Sequence, residues 1–202
     1  PGPVPAAGPR RADFRFMRGH VAHWVALGFG SGLSPRAPGT VGTLWGWVSF
    51  LVLDRWLSAH AGGWPLAIGL ALAVGTWAAT RTAQHLGIAD PGAIVWDEVV
   101  AFWIVLWFVM PAPWWTQLAA FALFRYFDAA KPGPVRWADG LFKPVGGGAG
   151  SAGGARSAGA AGGARAGMAI GWRQGFGILL DDLVAAGCTL LFIALWIRLW
   201  NS

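Results

Sequence analysis

The stretch Ile94-Val-Trp-Asp-Glu-Val-Val-Ala-Phe-Trp-Ile-Val-Leu-Trp-Phe-Val-Met110 joins two adjacent carboxylates, Asp97 and Glu98, to a long run without any charge. A charged pair at the edge of so apolar a segment is costly unless a metal ion, a base or water holds it. An Asp cap followed by a Glu in the first helical turn would also account for the pair, because both favour the positive end of the helix dipole. Charge brought to the same place by other segments decides between these interpretations.

The composition is that of a membrane protein. Of the 202 residues, 55% are hydrophobic and 12% are charged, and the mean hydropathy is +0.51. Soluble domains carry about 25% charged residues. The 15 tryptophans against one tyrosine are a further indication, because tryptophan favours the membrane–water interface. The sequence predicts an all-α, polytopic membrane protein with a single helical domain. Its net charge of +6 fits cytoplasmic loops and anionic lipids. No nucleic-acid partner is expected, since no basic stripe with interleaved aromatics occurs.

The chain divides into five apolar segments and three polar or irregular ones. The apolar segments, expected to be membrane helices, are residues 41–53, 64–80, 99–110, 114–127 and 183–200. Residues 1–18 are rich in Pro, Gly and Arg and are expected to be a disordered tail, so that the domain comprises residues 19–202. Residues 146–167 contain only Gly, Ala, Ser and two arginines, a composition that predicts a flexible linker.

A Gly- and Pro-rich segment, residues 28–43, precedes the first apolar segment. Its composition predicts a re-entrant loop without regular helix. Successive backbone N–H groups in such a loop can cradle an anion. We therefore expect Ser31, Arg36 and Thr40 to bind phosphate or substrate, although a plain turn would have the same pattern.

The order of the segments brings the charged motifs to one side of the membrane, because consecutive spanning helices alternate in direction. With residues 28–43 on the near side, the acidic and basic motifs of all later segments fall there too. Only Arg55 and Arg198 of the 15 Lys and Arg residues fall on the far side, so the near side is expected to be cytoplasmic. Five tryptophans are expected to form a far-side aromatic belt: Trp56, Trp64, Trp114, Trp115 and Trp200.

Five carboxylates on this side are the candidate catalytic and metal-binding residues: Asp97, Glu98, Asp128, Asp181 and Asp182. Carboxylates without neighbouring His or Cys favour a hard cation, which indicates Mg²⁺. Arg125 and Lys131 flank Asp128 at intervals of three residues and are candidate phosphate ligands. Pro132 places Lys131 at or beyond the helix end. An internal salt-bridged helix end is the alternative. Metal ions and bases at a membrane surface suit phosphoryl chemistry on a lipid head group, with either water or an aspartate as the nucleophile.

Four motifs in this order resemble the bacterial phosphatidylglycerophosphatase A family. They are Gly28-Phe-Gly-Ser-Gly-Leu-Ser-Pro-Arg-Ala-Pro-Gly-Thr-Val-Gly-Thr-Leu44, Ile94-Val-Trp-Asp-Glu-Val-Val100, Phe124-Arg-Tyr-Phe-Asp-Ala-Ala-Lys-Pro-Gly-Pro134 and Gly175-Phe-Gly-Ile-Leu-Leu-Asp-Asp-Leu-Val-Ala-Ala-Gly187. The resemblance implies a Mg²⁺-dependent inner-membrane enzyme that removes the terminal phosphate of phosphatidylglycerophosphate to give phosphatidylglycerol. Gly133 replaces a Trp that is usual in the family, and Arg173-Gln174 replace His-Gly. Neither change removes a carboxylate.

Three other functions fit the sequence less well. A lipid phosphatase with a histidine nucleophile would need a histidine in the acidic motifs, which contain none. A phosphotransferase of the CDP-alcohol type would need an Asp-Gly-x-x-Ala-Arg motif, whereas Asp139-Gly140 continue as Leu-Phe-Lys-Pro. A small transporter or channel would place its ionisable residues at mid-membrane depth, whereas these lie at the ends of the apolar segments.

Overall fold

The computed structural model describes residues 11–88, 91–133, 135 and 172–200, and within these ranges the chain is helical without strands. The helices are α1 (Phe14–Met17), α2 (Val21–Ala26), a 3₁₀ helix (Gly28–Leu33), α3 (Pro38–Leu57), α4 (Gly63–Leu86), α5 (Trp96–Val109), α6 (Trp114–Ala130) and α7 (Trp172–Trp200). Each of the five predicted apolar segments corresponds to one of the helices α3 to α7. Residues 1–10 and the expected linker, residues 146–167, lie outside the described residues.

Helix α5 is the centre of the bundle and packs against α3, α4, α6 and α7. Its residues Val99, Val100 and Phe102 are fully buried, which explains why this stretch is apolar on every side. Glycines on α3 allow the two helices to approach closely. A Cβ atom on Gly46 would lie 3.1 Å from the Val99 Cα atom. Close backbone contact with α3 therefore fixes the position of α5. It also fixes the position of the two acids in the first turn of α5.

Tryptophan side chains connect the helices by hydrogen bonds as well as by packing. The Trp96 indole N–H of α5 donates to the Ala71 carbonyl of α4 at 2.9 Å. The Trp103 N–H donates to the Gly46 carbonyl of α3 at 3.0 Å. The indole combines a large apolar surface with one donor that needs a partner when buried. Trp96 and Trp103 thus connect α5 to the two neighbouring helices from inside the bundle.

Two expectations about the N-terminal third are wrong in part. The expected disordered tail ends in helix α1, which Asp13 caps by accepting a hydrogen bond from the Phe16 N–H at 2.7 Å. The expected loop at residues 28–43 is irregular only in its first part, because α3 already begins at Pro38. Proline at the first helical position is favourable, since its φ is preset and its missing N–H would have no helical partner.

Two helices are long and apolar enough to cross a membrane, Gly63–Leu86 and Phe176–Leu199. Most of the residues in each apolar window are not buried by the rest of the protein. The expectation of an exposed aromatic belt agrees with the exposure of Trp56, Trp114 and Trp115, which are 72%, 66% and 60% exposed. It is wrong for Trp64, which is 3% exposed and stacks on Phe50 with the ring centroids 4.2 Å apart. The side chain of Trp200 lies outside the described residues.

Candidate active site

Three carboxylates from two helices form an acidic cluster, which we define as Asp97, Glu98 and Asp182. One oxygen atom from each lies within 4.8 Å of the others. Asp97 and Glu98 occupy the first turn of α5, where the helix dipole favours negative charge. Asp182 comes from α7, which packs along α5. The cluster therefore joins segments that are more than 80 residues apart in the sequence.

The acidic cluster is buried, and its oxygen atoms are incompletely satisfied. Asp97 is 8% exposed and Asp182 is 4% exposed. One buried oxygen of each residue has no hydrogen-bond partner among the residues that the structure describes: Asp97 Oδ1, Glu98 Oε2 and Asp182 Oδ2. Buried carboxylate oxygens without a donor carry a large desolvation cost and repel one another. A divalent cation with oxygen ligands would compensate all three, so the donor set fits Mg²⁺.

Arg125 of α6 lies beside the acidic cluster. Its guanidinium lies 4.0 Å from Glu98 Oε1 and forms a close ion pair with Asp128 one helical turn later. It also donates to Thr43 Oγ1 of α3 at 3.4 Å. These contacts hold the guanidinium group beside Glu98. Arg125 thus connects α3, α5 and α6 at the site.

Lys131 lies at the end of α6, as expected from Pro132. It is the C-cap residue and adopts a left-handed conformation with φ 42°. Its ammonium group forms an ion pair with Asp181 of α7 at 2.5 Å. Of the five candidate carboxylates, three therefore converge on one point and two, Asp128 and Asp181, are each paired with a base. The sequence did not distinguish these two groups.

The start of α3 forms the remaining wall of the site. A Cβ atom on Gly39 would lie 2.3 Å from Glu98 Oε1 and 3.2 Å from Arg125 Nη2. Only glycine allows the two side chains to lie this close to the helix terminus. Because the first N–H groups of a helix have no helical acceptor, the terminus offers donors for an anion beside Arg125. The sequence motif contains Gly39, but its spacing gave no indication of this contact.

The three loop residues predicted to bind phosphate have different positions. Thr40 lies in the first turn of α3 beside Gly39 and is half-buried. Ser31 donates its hydroxyl hydrogen to the Gly28 carbonyl at 2.8 Å, which turns it into the loop. Arg36 is exposed and forms no ion pair with the acidic cluster in the part of the chain that the structure describes. Of the three, Thr40 lies in the first turn of α3, and phosphate binding by these residues stays a prediction.

Sequence reasoning also missed a cluster of three histidines, which lies where the start of α2 meets the end of α4. His20, His23 and His85 lie together, with ring centroids between 5.1 and 5.6 Å apart. The spacing of His20 and His23 places both near the start of α2. Nothing in the sequence indicated that His85, at the end of α4, joins them.

The described residues form an all-helical protein with two helices long and apolar enough to cross a membrane and with an acidic group that could hold a metal ion. The family model for phosphatidylglycerophosphatase A matches residues 24–148, which include Asp97, Glu98, Arg125 and Lys131. The chain belongs to the phosphatidylglycerophosphatase A family.

Curated relatives agree with this family. Phosphatidylglycerophosphatase A of Escherichia coli (strain K12) is 37% identical over 134 residues, which cover 65% of this chain and 76% of that protein. The Haemophilus influenzae protein of the same name is 34% identical over 164 residues, 81% of each chain. A Bacteroides thetaiotaomicron protein described as a candidate phosphatidylinositol-3-phosphatase is 41% identical over 116 residues, 55% of this chain and 72% of that protein. No solved structure gives a significant match.

Proposed function

We propose that the chain is a Mg²⁺-dependent lipid phosphatase that converts phosphatidylglycerophosphate to phosphatidylglycerol and inorganic phosphate. The observation that carries the proposal is the set of three buried, unpartnered carboxylate oxygens of the acidic cluster beside Arg125. Family membership supplies the substrate. In the reaction, water contributes a hydroxyl group to phosphorus and a proton to the glycerol oxygen, as the bond between that oxygen and phosphorus breaks.

Asp97, Glu98 and Asp182 are the residues that would hold Mg²⁺. The bound ion would polarise a phosphate oxygen and activate water for attack. Their burial supports this role, because a site shielded from solvent strengthens electrostatic interactions with the substrate. The two remaining candidate carboxylates, Asp128 and Asp181, act through their ion pairs by holding the bases.

Arg125, Lys131 and the first N–H groups of α3 would bind the phosphate. Arg125 is held between Glu98 and Asp128, so its position is fixed before the substrate binds. Cationic donors fixed in this way stabilise the negative charge that develops on the phosphoryl oxygens in the transition state. We assign Thr40 to the same anion site and Ser31 and Arg36 to the loop that borders it.

The membrane arrangement follows from the same proposal. Helices α3 to α7 would cross or enter the bacterial inner membrane as a multi-pass bundle. The acidic cluster would face the cytoplasm, because most Lys and Arg residues fall on that side. The exposed apolar surface of α4 and α7 supports contact with lipid. A lipid substrate could then reach the acidic cluster from within the membrane plane.

Phosphate release from defined lipids tests the proposal. Purified protein in detergent should release phosphate from phosphatidylglycerophosphate with Mg²⁺ and not with EDTA. Phosphatidylinositol-3-phosphate serves as the competing substrate, since one relative is described with that specificity. Asp97→Asn, Asp128→Asn and Asp182→Asn should each abolish turnover.

The control for these variants is Asp54→Asn at the opposite end of α3, where the amide oxygen can still accept from Trp64. It should retain wild-type turnover. Absence of phosphate release by the wild-type protein would refute the enzyme assignment. Near wild-type rates in two of the variants Asp97→Asn, Asp128→Asn and Asp182→Asn would refute the assignment of these residues to the site.

A further inference from the structure

His23 and His85 form a direct hydrogen bond between α2 and α4, with 2.8 Å between His23 Nε2 and His85 Nδ1. His23 is 4% exposed, and its ring stacks on Phe16 with the centroids 3.9 Å apart. Its other ring nitrogen, Nδ1, lies 2.8 Å from the Phe16 carbonyl oxygen. Both nitrogens of His23 are therefore engaged, one with α1 and one with α4.

These partners determine where the protons lie. A carbonyl oxygen only accepts, so His23 Nδ1 must carry a hydrogen and donate it to Phe16. In a neutral ring Nε2 is then bare and accepts from the Nδ1–H group of His85. If His23 took up a proton, Nε2 would also carry a hydrogen, and the pair would keep a hydrogen bond only if the His85 hydrogen moved from Nδ1 to Nε2. Protonation would also place a positive charge on a ring that is 4% exposed and lies beside two other histidines, so the observed arrangement favours neutral His23.

The surroundings of His23 disfavour its charged form. Burial lowers the pKa of the His23 imidazole, the Phe16 carbonyl opposes that change, and His85 and His20 lower the pKa further. His20 and His85 are the titratable groups that act on it. The His20 ring accepts from the Ala22 N–H through Nδ1 at 3.1 Å, so it does not neutralise a charge on His23.

The same short helix leads from this pair to the acidic cluster. Helix α2 packs on α4 through alanines, and its last residue, Ala26, is fully buried. The Ala26 carbonyl accepts a hydrogen bond from the Val95 N–H at 2.9 Å. Val95 is the residue immediately before α5 and lies two positions from Asp97. A shift of α2 against α4 would therefore be transmitted to the first turn of α5.

We propose that His23 and His85 are positioning residues for the acidic cluster, and that protonation of His23 releases the start of α5. The pair holds α2 against α4 while it is neutral, and α2 holds Val95 through Ala26. This role rests on the proposed function for its effect on catalysis. Its structural part, the coupling of His23 to Val95, stands without it.

The direction of the pH effect follows from the pKa shift. The folded state binds fewer protons at His23 than the unfolded state does, because the pKa of the folded form is lowered. The positioning is complete above the ordinary pKa of histidine and is lost as pH falls through the lowered pKa of His23. Once pH is below the pKa of His23, the neutral fraction falls about tenfold per pH unit.

The variant His23→Gln separates this role from a purely structural one. A glutamine amide can donate to the Phe16 carbonyl and accept from His85, as neutral histidine does, but it cannot be protonated in this range. Hydrogen exchange of the peptide that contains the Val95 amide should be equal in the wild type and His23→Gln near pH 8. At about pH 5.5 the wild type should exchange at least about threefold faster than the variant.

Activity gives the second measurement. With Mg²⁺ and phosphatidylglycerophosphate, the acidic limb of the pH–rate profile should shift to lower pH in His23→Gln. It should be unchanged in His60→Gln, an exposed histidine at the other end of α3 that serves as the matched control. Identical exchange at Val95 and identical acidic limbs in the wild type and His23→Gln would overturn the proposal.

A further pair of variants covers the case in which His23→Gln does not fold. His85→Gln keeps a donor for His23 Nε2 and should retain the acid sensitivity, whereas His85→Phe removes the donor and should exchange faster at both pH values. Equal exchange in these two variants would contradict the positioning role. If neither the wild type nor any of these variants releases phosphate, but exchange at Val95 follows the prediction, the coupling stands and the proposed function fails.

Discussion

Replacement of Gly39 by alanine should separate catalysis from stability more sharply than any other single change. The added Cβ atom would lie 2.3 Å from Glu98 Oε1, whereas ordinary contact begins at 3.4 Å, so the carboxylate must move by roughly 1 Å. Arg125 Nη2, at 3.2 Å from the same Cβ position, would be displaced by a few tenths of an ångström. A displacement of about 1 Å within a catalytic site can lower the rate by about 10²-fold.

The fold itself should tolerate Gly39→Ala. The displaced atoms are the ends of flexible side chains rather than backbone, and alanine favours helix over glycine by up to about 1 kcal/mol. We therefore expect an unchanged or slightly raised melting temperature in detergent together with a loss of about 10²-fold in kcat/KM for phosphatidylglycerophosphate.

The matched control for this variant is Gly69→Ala in α4, where an added Cβ meets nothing within 4 Å. It should keep wild-type activity and gain similar or greater stability. If Gly39→Ala retained activity within threefold of Gly69→Ala, Glu98 and Arg125 would not need their present positions at the start of α3. The start of α3 would then not be a wall of the active site.

Two further changes test the bases and the helix packing. Arg125→Lys keeps the charge but removes the planar guanidinium that lies beside Glu98, Asp128 and Thr43, so phosphate release should fall about 10²-fold at unchanged melting temperature. Near wild-type turnover would refute a role for the guanidinium geometry. Gly46→Ala should destabilise the protein by about 1–3 kcal/mol, because its Cβ would meet the backbone of Val99 at 3.1 Å. Thermal unfolding measures this change, and an unaltered melting temperature would show that α3 and α5 can separate freely.

The sequence was informative about helices because their hydrophobic segments are long and continuous. The segment 114–127 corresponds to α6 (Trp114–Ala130), and the segment 64–80 is the apolar part of α4 (Gly63–Leu86). Helix ends were less well predicted, since α4 continues for a further turn and a half, in which exposed Arg81, Gln84 and His85 alternate with buried residues. Pro38 was taken as part of a loop although it starts α3, because proline is common in both places.

The candidate site was predicted as a set of residue types rather than as an arrangement. Alternation of helix direction placed the acids and bases on one side, and the structure brings Asp97, Glu98 and Asp182 together. The rotation of each helix about its axis determines which carboxylates converge. It also determines which of them pair with Arg125 or Lys131. That rotation is set by contacts such as Gly46 against Val99, which the apolar pattern of α5 does not reveal.

Long-range pairs left no trace in the sequence. His23 and His85 are 62 residues apart, and each alone resembles an ordinary histidine near a helix end. Trp64 was expected in an aromatic belt because tryptophan favours interfaces, yet its N–H donates to Asp54 Oδ1 at 2.8 Å inside the protein. Both cases show that a polar partner from another helix or helix end decides the position of an amphipathic ring.

The most direct test of the account is the binding of Mn²⁺, used as a paramagnetic substitute for Mg²⁺, to the purified protein. Electron paramagnetic resonance should show saturable binding that Mg²⁺ displaces. The binding should be lost in Asp182→Asn and retained in Asp54→Asn, because only the former residue contributes an unpartnered oxygen to the acidic cluster. Equal Mn²⁺ binding by the wild type and Asp182→Asn would contradict the claim that Asp97, Glu98 and Asp182 hold the metal.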